Sequence, residues 1–214
     1  MVCGYLSGLC TFLLLCGVCA ETVTAQAWKT VKWVNDGDTI HIEKGVRVRY
    51  IGVNTPEIAH GDQPAEPYGD AAKKYNIKLV SRKRVRLEYD RSKKDRYGRL
   101  LAYVFLKDGR FVNEVMIRSG YAYCLFHNEN YKYTDLFLKT QRQAMMSKRG
   151  IWGKFQETGA GYMGNRRSRR FHLKKCLFAK RIGKKNRVFF KTKRDAFWDG
   201  YAPAGKCLKE YWKN

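Results

Sequence analysis

Between residues 31 and 53 the chain reverses direction twice within a few residues, and this constrains the fold more than any other feature. Asn35-Asp36-Gly37-Asp38 and Lys44-Gly45 are turn-forming clusters. They separate three short runs, 31–34, 39–43 and 46–53, the last rich in branched residues. In the second run Ile40 and Ile42 fall on one face. Three strands joined by tight turns predict a curled antiparallel sheet. Further on, Pro67 opens a helix in which Tyr68, Ala72, Tyr75 and Leu79 recur at helical spacing. Two more strands are expected at 85–89 and 100–106, then a short helix around Val112, Val115 and Met116 that Gly120 stops. A third helix spans 135–146, with Phe137, Ala144 and Met145 as its apolar stripe. The expected class is α+β, mainly β: a five-stranded OB-fold barrel with three helices, followed by a small basic C-terminal module.

Charge says what such a domain meets. The chain carries 43 Lys and Arg against 19 Asp and Glu, a formal net charge of +24. That balance draws polyanions, whether nucleic acid, anionic membrane or acidic glycan, and does not choose among them. A hydrophobic content of 44% with 14% aromatics excludes a disordered polycation.

The N-terminus reads as an export signal. Residues 6–20 form an uncharged apolar run, too short for a comfortable membrane span, with cleavage expected after Ala20 or, as an alternative, after Ala27. No Lys or Arg precedes the run, which leaves an uncleaved anchor or a misplaced start open. A secreted or periplasmic protein is expected. Four of seven cysteines lie in this leader, so the mature chain keeps Cys124, Cys176 and Cys207. Cys176 and Cys207 are the expected pair, and Cys124 a buried apolar residue. The expected organisation is a signal peptide at 1–20, a barrel domain at 28–155, a flexible Gly/Arg linker at 156–170 and a basic Cys-containing module at 171–214.

Several polar residues sit where apolar ones belong. Asp38 shares strand parity with Ile40 and Ile42, and a carboxylate there needs a partner. A hard cation is one, with Asp36 adding negative field; taken alone, Asp36-Gly37-Asp38 is better read as a turn. Arg49 shares parity with Ile51 and Val53. Its fork suits a phosphate, although a structural ion pair with Asp38 or Glu57 is the better reading of that residue by itself. Glu57 is held near a strand end by Pro56, placed to orient or deprotonate a water. Arg99 emerges from the turn Asp95-Arg96-Tyr97-Gly98-Arg99 as a second cationic fork, fit for the charge of a phosphodiester transition state.

Taken together, Asn35-Asp36-Gly37-Asp38-Thr39, Val48-Arg49-Tyr50-Ile51-Gly52-Val53-Asn54-Thr55-Pro56-Glu57, Asp95-Arg96-Tyr97-Gly98-Arg99-Leu100-Leu101-Ala102-Tyr103, Val112-Asn113-Glu114 and Gly150-Ile151-Trp152 resemble, in order and spacing, the signature blocks of the staphylococcal nuclease family. The resemblance covers roughly residues 28–155. It implies an OB-fold and calcium-dependent hydrolysis of DNA and RNA to 3′-phosphate ends. It implies that Asp38 and the Thr55 carbonyl hold calcium, that Glu57 handles the attacking water, and that Arg49 and Arg99 bind the scissile phosphate. Asn54 stands where the family has a second calcium-binding aspartate, so weaker metal binding or a shifted metal preference is expected. Phe126 stands near a tyrosine position of the nucleotide pocket and keeps only stacking or packing.

The tail resembles the small zinc module of the Ada DNA-repair protein, through Phe171-His172, Cys176, Asn186-Arg187-Val188-Phe189-Phe190, Ala196 and Gly200-Tyr201-Ala202-Pro203. One cysteine of that module is replaced by Ala204, leaving His172, Cys176 and Cys207, and a Cys176–Cys207 disulfide is favoured over zinc. Arg166, Arg167, Arg169 and Arg170 are expected to grip nucleic acid. The overall expectation is an exported, monomeric endonuclease acting on DNA and RNA. Alternatives are a non-catalytic nucleic-acid-binding protein on the same fold and a cationic surface or membrane binder.

Overall fold

The computed structural model describes residues 1, 27–126, 129–153, 161–205 and 207; residues 2–20 of the expected signal peptide lie outside the described residues, as do 156–160 of the expected linker. The chain folds as β1 (Lys29–Val34), β2 (Thr39–Ile42), β3 (Arg47–Tyr50), β4 (Val53–Asn54), α1 (Gly69–Val80), β5 (Arg84–Glu88), β6 (Leu100–Leu106), α2 (Val112–Arg118), β7 (Tyr123–Cys124) and α3 (Thr134–Met146). Then come β8 (Tyr162–Asn165), β9 (Arg170–Leu173), α4 (Leu177–Lys180), β10 (Arg187–Phe190), α5 (Lys193–Trp198) and β11 (Ala202–Pro203). No helix among the described residues is long and apolar enough to cross a membrane.

The first five long strands close a barrel in the order β1-β2-β3-β6-β5. Every pairing is antiparallel except β3 with β6, which is parallel and closes the barrel. Alternation places Val31, Ile40, Val48, Val85, Leu87, Ala102 and Val104 inside, all buried. The expected single strand over 46–53 is corrected: it breaks at a turn through Ile51 and Gly52, and β4 pairs instead with β7. Buried Asn113 fixes that break, since its Nδ2 donates to the Ile51 carbonyl at 2.8 Å and its Oδ1 accepts from the Val104 amide at 3.0 Å.

The expected linker is also corrected over 162–170. Tyr162–Asn165 and Arg170–Leu173 are the two strands of an antiparallel hairpin, part of a four-stranded sheet ordered β10-β8-β9-β11. The arginine run is its turn: Arg169 takes φ +51, and the Arg167 amide donates to Asn165 Oδ1 at 2.9 Å. Glycine and arginine texture reads as linker, yet here a side-chain-capped reversal uses it.

This tail shares a core with the barrel's flank. Tyr123, Met145, Ile151 and Trp152 bury themselves against Tyr162, Phe171, Phe190 and Phe197. Phe197 meets the rings of Tyr123, Trp152 and Phe171 edge-on at 5.4, 5.2 and 5.2 Å. Gln141, fully buried in α3, links both parts. Its Oε1 accepts from the Cys124 amide at 2.6 Å, and its Nε2 donates to the Phe197 carbonyl at 2.5 Å.

Candidate active site

The loop between β1 and β2 carries Asp36 and Asp38, and three contacts hold it against the barrel. Buried Tyr50 donates its hydroxyl to Asn76 Oδ1 at 2.9 Å, and Asn76 Nδ2 donates to the Asp36 carbonyl at 3.0 Å. The Tyr50 amide donates to the Asp38 carbonyl at 2.9 Å. Gly37 lets the loop approach β4: a Cβ there would stand 2.6 Å from the Thr55 side chain. Thr55 is thereby brought onto Asp38, its amide donating to Asp38 Oδ2 at 3.0 Å and its hydroxyl at 3.3 Å.

Arg49, on β3 opposite Thr39, pairs with Asp38 through Nε at 3.0 Å from Oδ1. Its Nη1 donates to the carbonyls of Tyr50 and Val53, each at 2.8 Å, and its Nη2 to Asn54 Oδ1 at 2.7 Å. Four of its five N–H bonds are therefore used, leaving one Nη2 hydrogen among the described residues. Asn54 turns its Nδ2 to the Thr55 carbonyl at 3.1 Å and to the Tyr123 hydroxyl at 2.8 Å.

Burial pushes the Asp38 carboxyl up to about 7 despite the opposing Arg49 guanidinium, with Asp36 and Glu57 adding to the rise. Glu57 lies in the segment that follows β4, and its backbone is held by Glu66: the Glu57 amide donates to Glu66 Oε2 at 2.9 Å. Loss of hydration raises its carboxyl above the usual glutamate range, with Asp36 and Glu66 adding to the rise and Arg49 and Arg99 opposing it. Beyond the cost of burial, Asp36 and Glu57 repel the Asp38 carboxylate and Asp36 repels that of Glu57, while Arg49 opposes both. The neighbouring donors are all oxygen: carboxylates, the Thr55 carbonyl and the Asn54 amide. That chemistry fits a hard divalent cation, and to serve as a ligand Asn54 Oδ1 exchanges its bond from Arg49 for the cation.

Arg99 begins β6. Its Nε donates to Asp95 Oδ2 at 2.7 Å, while Asp95 Oδ1 accepts the Arg99 and Tyr97 amides at 3.0 and 2.9 Å. These bonds draw the Asp95 carboxyl below its ordinary range against the opposing cost of desolvation. The Arg99 guanidinium also lies 5.6 Å from the centre of the Tyr97 ring.

Arg49, Arg99, Phe126, Arg167 and Arg170 open onto one cavity of about 660 Å³. Lys94, Arg96 and Tyr97 also line it, and sequence reasoning gave none of them a role. Their signal was the ring between two guanidiniums, since Arg96 and Arg99 both stand over Tyr97. Asp38, Asn54, Thr55 and Glu57 do not line the cavity; Asp38 and Asn54 are bonded to Arg49, which does. Arg166 and Arg169 do not reach it either; the Arg169 guanidinium stacks on Tyr201 at 5.1 Å.

In the tail, Cys176 and Cys207 form a disulfide, and His172 Nδ1 lies 3.1 Å from Cys207 Sγ. Among the described residues these three are the group whose ligand atoms lie within 4.8 Å of one another. With both sulfurs in the disulfide, the set offers no thiolate to zinc. Cys124 is free and buried.

The family model for staphylococcal nuclease homologues matches residues 47–154 and leaves the tail outside it. The thermonuclease of Staphylococcus hyicus is 42% identical over 130 residues, covering 59% of this chain and 76% of that protein. The thermonuclease of Staphylococcus intermedius is 46% identical over 125 residues, covering 57% and 74%. Endonuclease YncB of Bacillus subtilis is 39% identical over 136 residues, covering 61% and 62%.

Proposed function

Because the chain belongs to the staphylococcal nuclease family, and is a nuclease acting on phosphodiester bonds, we propose that it is an exported, calcium-dependent endonuclease of DNA and RNA whose reaction is carried by Asp38, Arg49, Glu57 and Arg99. The observation that supports this most is the convergence of two arginine forks on one cavity, beside three mutually repelling carboxylates.

In this reading Asp38 and the Thr55 carbonyl hold the cation, Asn54 contributes its amide oxygen, and Asp36 adds field from outside the ligand set. The bound cation supplies Lewis acidity and a more acidic water. Glu57, with its raised affinity for a proton, accepts one from the attacking water or orients that water. Arg99 offers its Nη groups to the scissile phosphate, and Arg49 its remaining Nη2 hydrogen, both in place before charge develops on the equatorial oxygens. Arg49 is bonded to the carboxylate that the cation needs, so the cation and the Arg49 pairing compete for Asp38. Phe126 packs beneath the nucleotide. Export is supported by the apolar leader in the sequence and by the Cys176–Cys207 disulfide, a bond favoured in oxidising compartments. A monomer with no obligate protein partner is proposed.

The test incubates the purified chain with plasmid, single-stranded DNA and RNA across a series of divalent ions. Cleavage of all three should need a divalent ion, be supported by calcium and stop with a chelator. Retardation of DNA on a gel without cleavage would favour the binding-only alternative. That alternative draws on one observation, that Arg49 is already consumed by an internal ion pair.

A further inference from the structure

The cavity that receives the two arginine forks is not built by the nuclease fold alone. The tail also lines it, with Arg167 and Ser168 from the β8–β9 turn and Arg170 from the start of β9. The tail is held there firmly: α5 packs its Phe197 into the shared core, Arg142 Nε donates to the Trp198 carbonyl at 2.9 Å, and Arg194 Nη2 donates to the Met145 carbonyl at 3.2 Å. Phe126 sits at the seam. Its ring packs against Gly200 of the tail so tightly that a Cβ there would lie 3.0 Å away, and its carbonyl receives Arg170. The wall is therefore fixed in place rather than tethered.

Arg170 is the unusual member of this wall. Its Nη1 donates to the carbonyls of Phe126, Ser168 and Arg169 at 3.4, 3.1 and 3.3 Å. Among the described residues no carboxylate pairs with it. Partial burial lowers its hold on the proton, as expected for a guanidinium removed from water without an anion. An arginine half-buried, neutralised by nothing, and facing a cavity already lined by Arg49, Lys94, Arg96 and Arg99 calls for an anionic occupant. Arg167 stands beside it, exposed, its side chain making no bond among the described residues. Against these cations the cavity lining holds two carboxylates, Asp95, already bonded to Arg99, and Glu129.

We propose that the tail is the second wall of the substrate groove, and that Arg170 and Arg167 bind a phosphodiester of the substrate strand next to the one cleaved. This rests on the reading that Arg49 and Arg99 receive the scissile phosphate. The groove has the size of a nucleotide-scale pocket, and basic residues of both the barrel and the tail line it. The tail then acts as a substrate-length selector: it rewards a polynucleotide over a single nucleotide, without reading sequence, because the contact is to backbone.

The experiment uses the full chain and two variants, Arg167→Ala and Arg170→Gln. Steady-state cleavage is measured on a single-stranded octanucleotide and on a nitrophenyl ester of a mononucleotide. In each variant the ratio of KM for the octanucleotide to KM for the ester should rise about tenfold, the cost of one charge-assisted contact. Binding of the same octanucleotide in chelator, followed by fluorescence anisotropy, should weaken to a similar degree. The slope of log affinity against log salt should fall by about 0.7 per arginine, the value for a single strand. An unchanged KM ratio with an unchanged salt slope in Arg167→Ala overturns the proposal. So does a loss in Arg170→Gln that is equal on both substrates, which would make that residue a clamp for its own turn. If the unmutated chain cleaves neither substrate, the catalytic reading fails, while the anisotropy measurement still decides whether the tail wall binds the strand.

Discussion

Replacing Phe197 with alanine tests whether the tail and the barrel fold as one body. Phe197 is fully buried, with the rings of Tyr123 and Trp152 on the barrel side and Phe171 on the tail side, all within 5.4 Å of its own centre. Its backbone carbonyl holds Gln141 Nε2, a bond that alanine retains, so the substitution removes packing and little else. Truncating a buried phenylalanine costs about 3–5 kcal/mol, including the cavity it leaves. For a domain of this size that corresponds to a fall in Tm of about 6–20 °C. Thermal denaturation followed by far-UV ellipticity and by residual DNA cleavage should show one coincident transition, moved down by that amount in both signals. A shift below about 2 °C refutes the shared core, given how tightly cores report lost volume. So does a two-step melt in which cleavage keeps its original midpoint while part of the ellipticity is lost early.

Three further outcomes follow from the site and the tail. The Asp38 carboxyl, raised to about 7, keeps its proton in the folded chain over the range from about 4 to about 7 where the unfolded carboxyl is ionised, so the stability this group gives the metal-free protein is full below about pH 4 and is lost as pH rises through 7. At a fixed calcium concentration the gain in Tm over chelator should therefore be larger at pH 8 than at pH 6; an equal gain at both removes Asp38 from the ligand set. Asn54→Asp should lower the calcium concentration for half-maximal cleavage about tenfold by adding a charge to the ligands. It should also lower metal-free stability, because the bonds from Nδ2 to Tyr123 and Thr55 are lost; an unchanged calcium midpoint counts against Asn54 as a neighbour of the metal. Cys176→Ser should destabilise the chain by about 3–4 kcal/mol, the loop-closure value for a separation of 31 residues, read by urea denaturation without and with a dithiol reductant. Equal midpoints with and without reductant in the parent would mean that the disulfide does not form in solution.

Much of the barrel is legible because its signals are local. Ile40 and Ile42 alternate, Gly37 and Gly45 mark the reversals, and the helical stripe of α3 lies in Phe137, Ala144 and Met145. The break between β3 and β4 is not local: Asn113, 62 residues from Ile51, fixes it. The parallel closure of β3 on β6 is likewise a matter of topology, invisible to periodicity. Asp38 and Arg49 were legible as misfits on apolar faces. Their mutual ion pair was one of the alternatives the sequence left open, and it is the arrangement found. The packing of the tail against the barrel was not legible, for two reasons. A glutamine in an amphipathic helix, such as Gln141, looks like surface until its partners are known. Glycines and arginines between 159 and 170 have the texture of a tether, and only the Asn165 cap and the left-handed Arg169 turn part of that stretch into a wall.

The most direct test of the proposed active site is single-turnover cleavage of a labelled single-stranded oligonucleotide, at saturating calcium, by Glu57→Gln and by Arg99→Ala. Each should lose at least about 100-fold in rate, the usual contribution of a positioned base or of a preorganised charge at the transition state. Oligonucleotide affinity measured in chelator should stay within about threefold of the parent for Glu57→Gln, which removes a carboxylate and no phosphate contact. If both variants cleave at the parent's rate, the chemistry lies elsewhere in the chain and the assignment of this site is wrong.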